Sequence, residues 1–188
     1  DVCSSDLPTR KWNSASQGRS HRVFGHTTQR THHLLSDLEL AVFFLLEWQQ
    51  STIDIREQFP LRLDQTKDIA ESCGIRHPEI RGVSNVMSSD FLVNTNNHLK
   101  PKFVLQAKYT VDLDKPRTVE KLEIERLYWL KKGIPWYLIT ENDIPKTVTK
   151  NINWLYPAQR NEIDAIDLFE RANFYNHIFQ SSPNSTII

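Results

Sequence analysis

The sequence predicts an α/β domain in which a mixed sheet is flanked by helices. Apolar segments at 90–93, 102–108 and 136–140 have the length and composition of strands. Segments at 36–49 and 118–132 have helical periodicity with recognisable start and stop signals. At 188 residues the chain is long enough for one such domain and a small appendage.

Composition excludes several classes of protein. The 23 basic and 23 acidic residues balance, so no global field attracts nucleic acid and any attraction must be local. Cys3 and Cys73 give no disulfide framework, which fits the reducing cytoplasm. The longest apolar run, at 40–46, is too short to span a membrane. We therefore expect a cytoplasmic protein with no secretory signal and no membrane contact.

The N-terminal segment is predicted to lie outside the domain. Residues 1–7 lack an initiator Met and read like the translation of a common sequencing-adapter oligonucleotide. We expect residues 1–17 to be disordered or artefactual, as in a truncated metagenomic reading frame. A genuine polar arm is the alternative.

Turn and capping residues predict the first elements of the domain. Residues 22–24 and 30–32 flank the segment 25–28, which indicates a hairpin. Ser36 and Glu39 form a capping box that begins the first helix. The elements predicted next are a strand at 53–56, a turn at Phe59-Pro60, a helix at 66–73 ended by Gly74, and loops at His77-Pro78 and Arg81-Gly82.

The predicted strands at 90–93 and 102–108 come next, joined by a turn of asparagines and threonine at 94–97. The helix at 118–132 then ends at Gly133. A buried strand and a last helix, with Pro145 at its N1 position, complete the domain.

Four residues point to chemistry at one end of this sheet. Strand periodicity places Gln106 and Lys108 on the same face of their strand. If the hairpin is antiparallel, Asp90 begins its strand near the end where Lys108 finishes, so the groups can converge. Glu39 would come from the first helix, packed over that edge. An acid on a helix, an acid on one strand and polar-x-Lys on the next are the layout of metal-dependent nucleases of the restriction-endonuclease type.

Each residue type suits that chemistry. Mg²⁺, with Mn²⁺ as a possible substitute, takes oxygen ligands. The oxygens available are those of Glu39, Asp90, the Gln106 amide and the Ala107 carbonyl. Lys108 cannot ligate while protonated, so we expect it to orient the attacking water or to counter charge on the phosphorane.

Taken singly, the same residues have ordinary explanations. Glu39 could be only a capping residue, and Asp90 only a strand-edge acid. Gln106 and Lys108 could be the exposed face of an edge strand, where lysine discourages aggregation. The spacing alone therefore leaves the nuclease prediction open.

Colinear blocks of sequence between residues 18 and 156 favour the nuclease interpretation over the ordinary explanations. They include HHLLSDLELAVF at 32–43, DIREQFPL at 54–61 and MSSDFLV at 87–93. Further blocks lie at 19–22, 80–83, 118–126, 134–136 and 151–156. Together they resemble the TnsA family, the endonuclease subunits of Tn7-like heteromeric transposases.

The resemblance implies a restriction-endonuclease-like catalytic domain at 18–156 and a winged-helix-type domain of which 157–188 is at most the start. It implies Mg²⁺-dependent nicking of double-stranded DNA at the 5′ ends of a transposon. A TnsB-like DDE transposase would cut and join the 3′ ends. A TnsC-like AAA+ regulator is the other implied partner, and its contact with this chain is expected to be incomplete.

The resemblance also assigns roles to residues. Glu39 and Asp90 are the metal-binding catalytic acids. Gln106 is a further ligand, and Lys108 is the catalytic lysine. Glu125 matches a family acid near the site, and a solvated helix residue paired with a neighbouring basic side chain is the alternative.

Residues 8–36 contain no acid, so they are a candidate for DNA contact. Beside a nuclease site we expect Arg19, Arg22 and Arg30 to contact phosphates, with a merely solvated arm as the alternative. Two other functions stay open. One is another nuclease of the same fold, such as a restriction endonuclease or a resolvase, and the other is a non-catalytic DNA-binding assembly subunit.

Two further sets of residues are predicted to be structural. A zinc site is disfavoured because there is no CxxC pair and adjacent histidines point to different faces. The residues concerned are His32, His33, Cys73 and His77. The five tryptophans are expected to pack in the core or against helices rather than to stack on bases.

Overall fold

The computed structural model describes residues 19–159, 169–170, 173–174 and 176–177. The strands within these residues are β1 (His21–Gly25), β2 (Arg30–Leu34), β3 (Thr52–Pro60), β4 (Glu79–Ile80), β5 (Val83–Ser84), β6 (Ser88–Thr95), β7 (Lys102–Ala107) and β8 (Trp136–Ile139). The helices are α1 (Asp37–Trp48), α2 (Leu63–Ser72), α3 (Thr110–Leu113), α4 (Pro116–Lys131) and α5 (Lys146–Leu155), and a 3₁₀ turn (Tyr156–Gln159) follows. The prediction for residues 1–17 and most of that for 157–188 lie outside the described residues.

Within the described chain, one mixed sheet has the strand order β3-β6-β7-β8. The β3–β6 and β6–β7 pairs are antiparallel, whereas β7 and β8 are parallel because α3 and α4 carry the chain back between them. Two hairpins are separate from this sheet: β1–β2 precedes β3 in sequence, and β4–β5 lies between β3 and β6, with Arg81-Gly82 as its turn. The predicted mixed sheet flanked by helices is confirmed.

Both faces of the sheet are buried against helices. Successive strand residues point to opposite faces, so each strand contributes side chains to two cores. Phe91, Val93 and Leu105 belong to a core that contains the inner faces of α1 and α5. Leu92 and Val104 point the other way, into a core with α2 and α4. The ends of β6 and β7 therefore lie between two helical layers.

The turn predicted at Phe59-Pro60 is wrong. β3 continues to Pro60, which pairs with Ser88. Proline has no N–H to donate, but it is tolerated here because β3 is an edge strand of the described sheet. The longer β3 brings Gln58 alongside β6, which matters for the site below.

Three helices begin at positions that differ from prediction. α2 begins at Leu63 rather than Thr66, whose hydroxyl donates to the carbonyl oxygens of Arg62 and Leu63 from inside the first turn. α4 begins slightly earlier than predicted, with Pro116 in its first turn. In α5, Pro145 is the N-cap and not the N1 residue. None of the described helices is long and apolar enough to cross a membrane.

A buried ionic cluster fixes the β1–β2 hairpin to β3. Arg30 donates two hydrogen bonds to the Glu57 carboxylate, at 2.9 and 2.7 Å. His32 is fully buried and bonds Glu57 through Nδ1 at 2.7 Å and Thr28 through Nε2 at 2.6 Å. Burial alone would raise the pKa of Glu57, but the hydrogen bonds from His32 and Arg30 outweigh it and lower that pKa to about 2.

Replacing Glu57 by Gln should remove a contribution to stability that depends on pH. Folding lowers the pKa of Glu57 from 4.5 to about 2. Its contribution is therefore fully present above that higher value and is lost as the pH falls toward the lower one. The protein should lose stability across this window, and Glu57→Gln should lose less. Urea unfolding above, within and below the window measures this, and an equal pH dependence in both proteins would contradict it.

α5 is anchored to the domain through its inner face. Ile152 and Tyr156 belong to the same core as α1. The Tyr156 hydroxyl donates to the carbonyl oxygen of Phe24 at 2.8 Å. The end of the described domain is thereby tied to the N-terminal hairpin.

The tryptophans divide between core and surface. Trp129 is buried and Trp136 is half-buried, as predicted. Trp48 and Trp154 are 41% and 80% exposed, so neither lies in the core. Trp154 lies two residues after the buried Ile152, which places it away from the inner face of α5. Trp12 lies outside the described residues.

Candidate active site

An open cleft lies where β6 begins and β7 ends. Its volume is about 1060 Å³. Six residues singled out from the sequence line it: Glu39, Asp90, Gln106, Ala107, Lys108 and Glu125. The convergence expected from an antiparallel hairpin is therefore confirmed, while the chemical roles of the residues stay predictions.

On one side of Asp90 the pairing with β3 is interrupted. Among the described residues, Gln58 lies opposite Asp90 without pairing to it, although the residues before and after both of them pair in register. The cause is the backbone of Gln58, whose φ of 50° lies in the left-handed region. Extended pairing cannot continue through such a residue, so the backbone of Asp90 is released from β3.

On the other side of Asp90, side chains replace the ladder with β7. Backbone pairing between the two described strands ends at Phe91 and Leu105. Beyond it, the N–H of Asp90 donates to the amide oxygen of Gln106 at 2.9 Å. The N–H of Ala107 donates to Asp90 Oδ2, also at 2.9 Å. The backbone pairing of β6 with β7 therefore ends here, but hydrogen bonds to side chains still join the two strands. These bonds fix the position of the Asp90 carboxylate where the pairing ends.

Lys108 is the first residue after β7 and brings an ammonium to this carboxylate. Its Nζ lies 3.4 Å from Asp90 Oδ2 and 3.0 Å from the Ala107 carbonyl oxygen. The side chain is 31% exposed, so the ammonium can be reached from the cleft. Gln106, in contrast, is buried, and its amide oxygen already accepts one hydrogen bond. One lone pair is left for the predicted role as a ligand.

Glu39 reaches the cleft from the first turn of α1. Ser36 Oγ accepts the N–H of Glu39 at 3.1 Å, so the predicted capping contact is confirmed. Glu39 Oε2 accepts the N–H of Leu35 at 2.9 Å and the side-chain amide of Gln58 at 3.2 Å. Burial, and then the nearby charge of Asp90, raise the pKa of Glu39 to about 7. Glu39 can therefore take part in the cap of α1 and also contribute its carboxylate to the cleft.

Glu125 reaches the cleft from α4 and is 3% exposed. It accepts hydrogen bonds from Ser89 Oγ at 2.6 Å and from Trp136 Nε1 at 2.9 Å. The alternative of a solvated residue paired with Arg126 is wrong, because Arg126 pairs with Glu123 at 2.7 Å. Burial raises the pKa of Glu125 to about 7 although both hydrogen bonds act against it. The cleft thus has a second buried carboxyl that titrates near neutral pH.

Gln58 and Lys121 are among the residues of the cleft wall that the sequence analysis did not single out. A glutamine inside a strand carries no signal of a left-handed backbone, and only its place in the block at 54–61 marks it. Lys121 is exposed and forms no ion pair with any described residue. It lies one helical turn before Glu125, and that spacing could have placed both on one face of α4.

The three arginines of the acid-free stretch have different surroundings. Arg19 and Arg22 are exposed and form no ion pair within the described chain. They lie near the cleft because His21, at the start of β1, is 2.7 Å from Asp37, which lines it. Arg30 is held by the buried cluster instead, which weakens the case for a phosphate contact there. All three contacts stay predictions.

The donor set fits a hard divalent cation. No group of three or more His, Cys, Asp or Glu that could hold a metal occurs among the described residues. Mg²⁺ needs fewer protein ligands than three, because it keeps several of its waters and is commonly held by one or two carboxylates. Burial and, after it, the nearby charge of Asp90 raise the pKa of Glu39, and a cation held by both carboxylates would oppose both effects. Of the residues considered for zinc, His32 bonds Glu57 and Thr28, and His77 bonds Thr66.

Two family models match consecutive parts of the chain. The model described as TnsA-like endonuclease N terminal matches residues 49–141, and the one described as TnsA endonuclease C terminal matches residues 143–188. Transposon Tn7 transposition protein TnsA of Escherichia coli is 49% identical over 173 residues, which are 92% of this chain. The chain belongs to the TnsA endonuclease family. It spans 63% of the length of that TnsA relative.

The two TnsA matches divide the chain earlier than our predicted boundary. The C-terminal match begins at 143, so it includes α5. The inner face of α5 nevertheless packs in the core that contains α1. The boundary predicted between 156 and 157 stays a prediction.

Proposed function

We propose that this TnsA-family chain is a Mg²⁺-dependent endonuclease that nicks double-stranded DNA at the 5′ ends of a transposon. The observation that carries the proposal is the convergence of Glu39, Asp90 and Lys108 at one cleft, where two strands of the sheet separate. Two carboxylates and an ammonium beside an open cleft are the groups that metal-assisted phosphodiester hydrolysis uses. The Escherichia coli relative is named as a transposition protein, which supports the substrate class.

Each residue has a role that follows from its position. Glu39 and Asp90 would hold the cation, with the Ala107 carbonyl and the Gln106 amide as further oxygen ligands. When bound, Mg²⁺ supplies a Lewis acid that polarises the phosphate. Lys108 holds its ammonium against Asp90, where it can orient a water or neutralise charge that develops on the phosphate oxygens.

The proposal extends to the domains and partners. Residues 18–156 form a restriction-endonuclease-like catalytic domain, and 157–188 begin a winged-helix-type domain. A TnsB-like DDE transposase cuts and joins the 3′ ends, and a TnsC-like AAA+ regulator contacts the C-terminal domain. The protein works in the bacterial cytoplasm on the DNA of the nucleoid.

Mapping the cleaved strand tests this function. The chain would be incubated with the transposase of its own locus, Mg²⁺ and DNA carrying one labelled transposon end. We expect a single nick at the 5′ end, and none when the chelator EDTA is present. Cleavage of both strands at an unrelated sequence would favour a restriction endonuclease. Binding without any cleavage in Mg²⁺ or Mn²⁺ would favour the assembly subunit.

Replacing Arg19 and Arg22 together by Ala should weaken DNA binding equally for all sequences. Removing one bond to a phosphate should lower the slope of log affinity against log salt by about 1. Fluorescence anisotropy at several salt concentrations measures both effects. Arg126→Ala is the matched control, because Arg126 is paired with Glu123 and is absent from the cleft wall, so it should leave the slope unchanged. A weakening confined to one end sequence would mean that the arm contacts bases.

A further inference from the structure

We infer that Gln58 is a positioning residue of the active site, held in a left-handed conformation so that its amide fixes Glu39 and its backbone frees Asp90. The inference rests on the nuclease function proposed above. It concerns a residue that no motif of the sequence analysis assigned.

The backbone of Gln58 is unusual for its place in the fold. Its φ is 50°, yet it lies inside β3, a strand of 9 residues. The other non-glycine residues with positive φ in the described chain, Gln29 and Arg81, lie in the turns of hairpins. L-residues adopt this conformation only at a cost, and such outliers persist where the surroundings impose them.

Both neighbours of Gln58 are fixed by contacts of their own. Glu57 is bound by Arg30 and His32 in the buried cluster. The ring of Phe59 packs against that of Trp129, with 5.8 Å between the ring centroids. The chain between these two anchors has little freedom to relax, so the left-handed conformation is imposed from both sides.

The side chain of Gln58 links two parts of the cleft. Its Nε2 donates to Glu39 Oε2 at 3.2 Å, and its Oε1 lies 3.5 Å from the hydroxyl of Ser88 at the start of β6. The other donors to the Glu39 carboxylate, Leu35 and Ser36, come from the chain that leads into α1 itself. Gln58 is thus the described donor that sets the position of this carboxylate relative to β6.

The backbone of Gln58 has a second effect, on Asp90. An extended residue at this position would pair with Asp90 and continue the ladder of β3 and β6. The left-handed residue breaks the ladder at that point. Asp90 is left free to direct its N–H to Gln106 and its carboxylate toward Ala107 and the cleft. One strained residue therefore acts on both acids.

Gln58→Gly separates the strain from the amide. Glycine accepts positive φ at no steric cost, so the relief of strain should offset the missing hydrogen bond and the Tm should not fall. The nicking rate at saturating DNA and the Mn²⁺ affinity should each fall by about 10- to 100-fold, as when outer partners of metal ligands are removed. DNA affinity should stay unchanged. Nicking would be measured with the partner transposase present, and Mn²⁺ binding by titration calorimetry on the full chain.

Two further variants complete the design. Gln29→Gly is the matched control, because Gln29 is exposed, has a φ of 54° and is absent from the cleft wall. It should tolerate the change without any effect on nicking or Mn²⁺ binding. In Gln58→Asn, the asparagine keeps the amide and tolerates positive φ, but its side chain is one methylene shorter than that of glutamine. It should fold and lose nicking as the glycine variant does.

Each outcome decides the inference. Wild-type nicking by Gln58→Gly would overturn it, and so would a loss of nicking with unchanged Mn²⁺ affinity, since Gln58 is proposed to act through Glu39. A loss of nicking with a lower Tm in both Gln58 variants would make Gln58 a structural residue only. If the wild type itself does not nick, the proposed function fails, and the Mn²⁺ titration still tests Gln58 separately.

Discussion

Lys108→Ala and Asp90→Asn should each lower the nicking rate by about 10²-fold or more while leaving the fold intact. Lys108 acts on charge that develops during the reaction and Asp90 acts on the bound cation, so replacing either should cost little stability. Asn is preferred to Ala at position 90 because its side-chain oxygen can still accept the N–H of Ala107. The double variant should be about as slow as the slower single one, because groups that act as a unit are not additive.

A second lysine of β7 provides the matched control. Lys102 begins this strand at the end far from the cleft, and its side chain is exposed. Lys102→Ala should nick at the wild-type rate. The measurement is the initial rate of nicking in Mg²⁺ with the partner transposase present, alongside Tm for each variant. Nicking at the wild-type rate by Lys108→Ala would remove this residue from the site.

The convergence of Asp90 and Lys108 could be predicted from sequence because it depends on local pattern. Alternation along 102–108 and a turn composition at 94–97 indicate a hairpin, and in an antiparallel hairpin the start of one strand meets the end of the next. Burial follows the same alternation, with Leu105 and Val104 in opposite cores. These features need no knowledge of the rest of the chain.

The features that could not be predicted depend on partners distant in sequence. Glu125 is a charged residue with Lys121 and Arg126 near it on its helix, and its hydrogen-bond partners Ser89 and Trp136, which explain its burial, come from two different strands. Arg30 lies in a stretch without acids, yet its partner Glu57 comes from β3. Local sequence describes charge and periodicity, but it does not describe which elements will pack against each other.

Gln58 illustrates the same limit in the backbone. The sequence predicts a strand that ends at Arg56 and a turn at Phe59-Pro60, whereas β3 extends on both sides of Gln58. The left-handed φ arises where two anchored residues flank a position that faces the acids of the cleft. Sequence reasoning assigns elements by their average conformation, so single residues that depart from it at functional sites are missed.

The isolated chain should nick transposon-end DNA only weakly, and the TnsB-like transposase should raise that rate by about 10²- to 10⁴-fold. The chain has 23 basic and 23 acidic residues, so no global field holds it on DNA. A partner that binds the end sequence would raise the effective concentration of the cleft at one phosphodiester. The comparison uses the purified chain, Mg²⁺ and labelled end DNA, with and without the transposase. Robust site-specific cleavage by the chain alone would favour the restriction-enzyme alternative.

A heterologous tether shows whether the partner acts only by placing the cleft on DNA. The full chain would be fused through a flexible linker to an unrelated sequence-specific DNA-binding domain, and the DNA would carry that domain's site. If placement is sufficient, the fusion should nick beside this site, and the same fusion with Lys108→Ala should not. If the fusion binds its site without nicking while the transposase complex nicks, the transposase must also change the conformation of the cleft. We would then look for that change where Gln58 interrupts the β3–β6 ladder and the Gln106 side chain replaces the β6–β7 ladder.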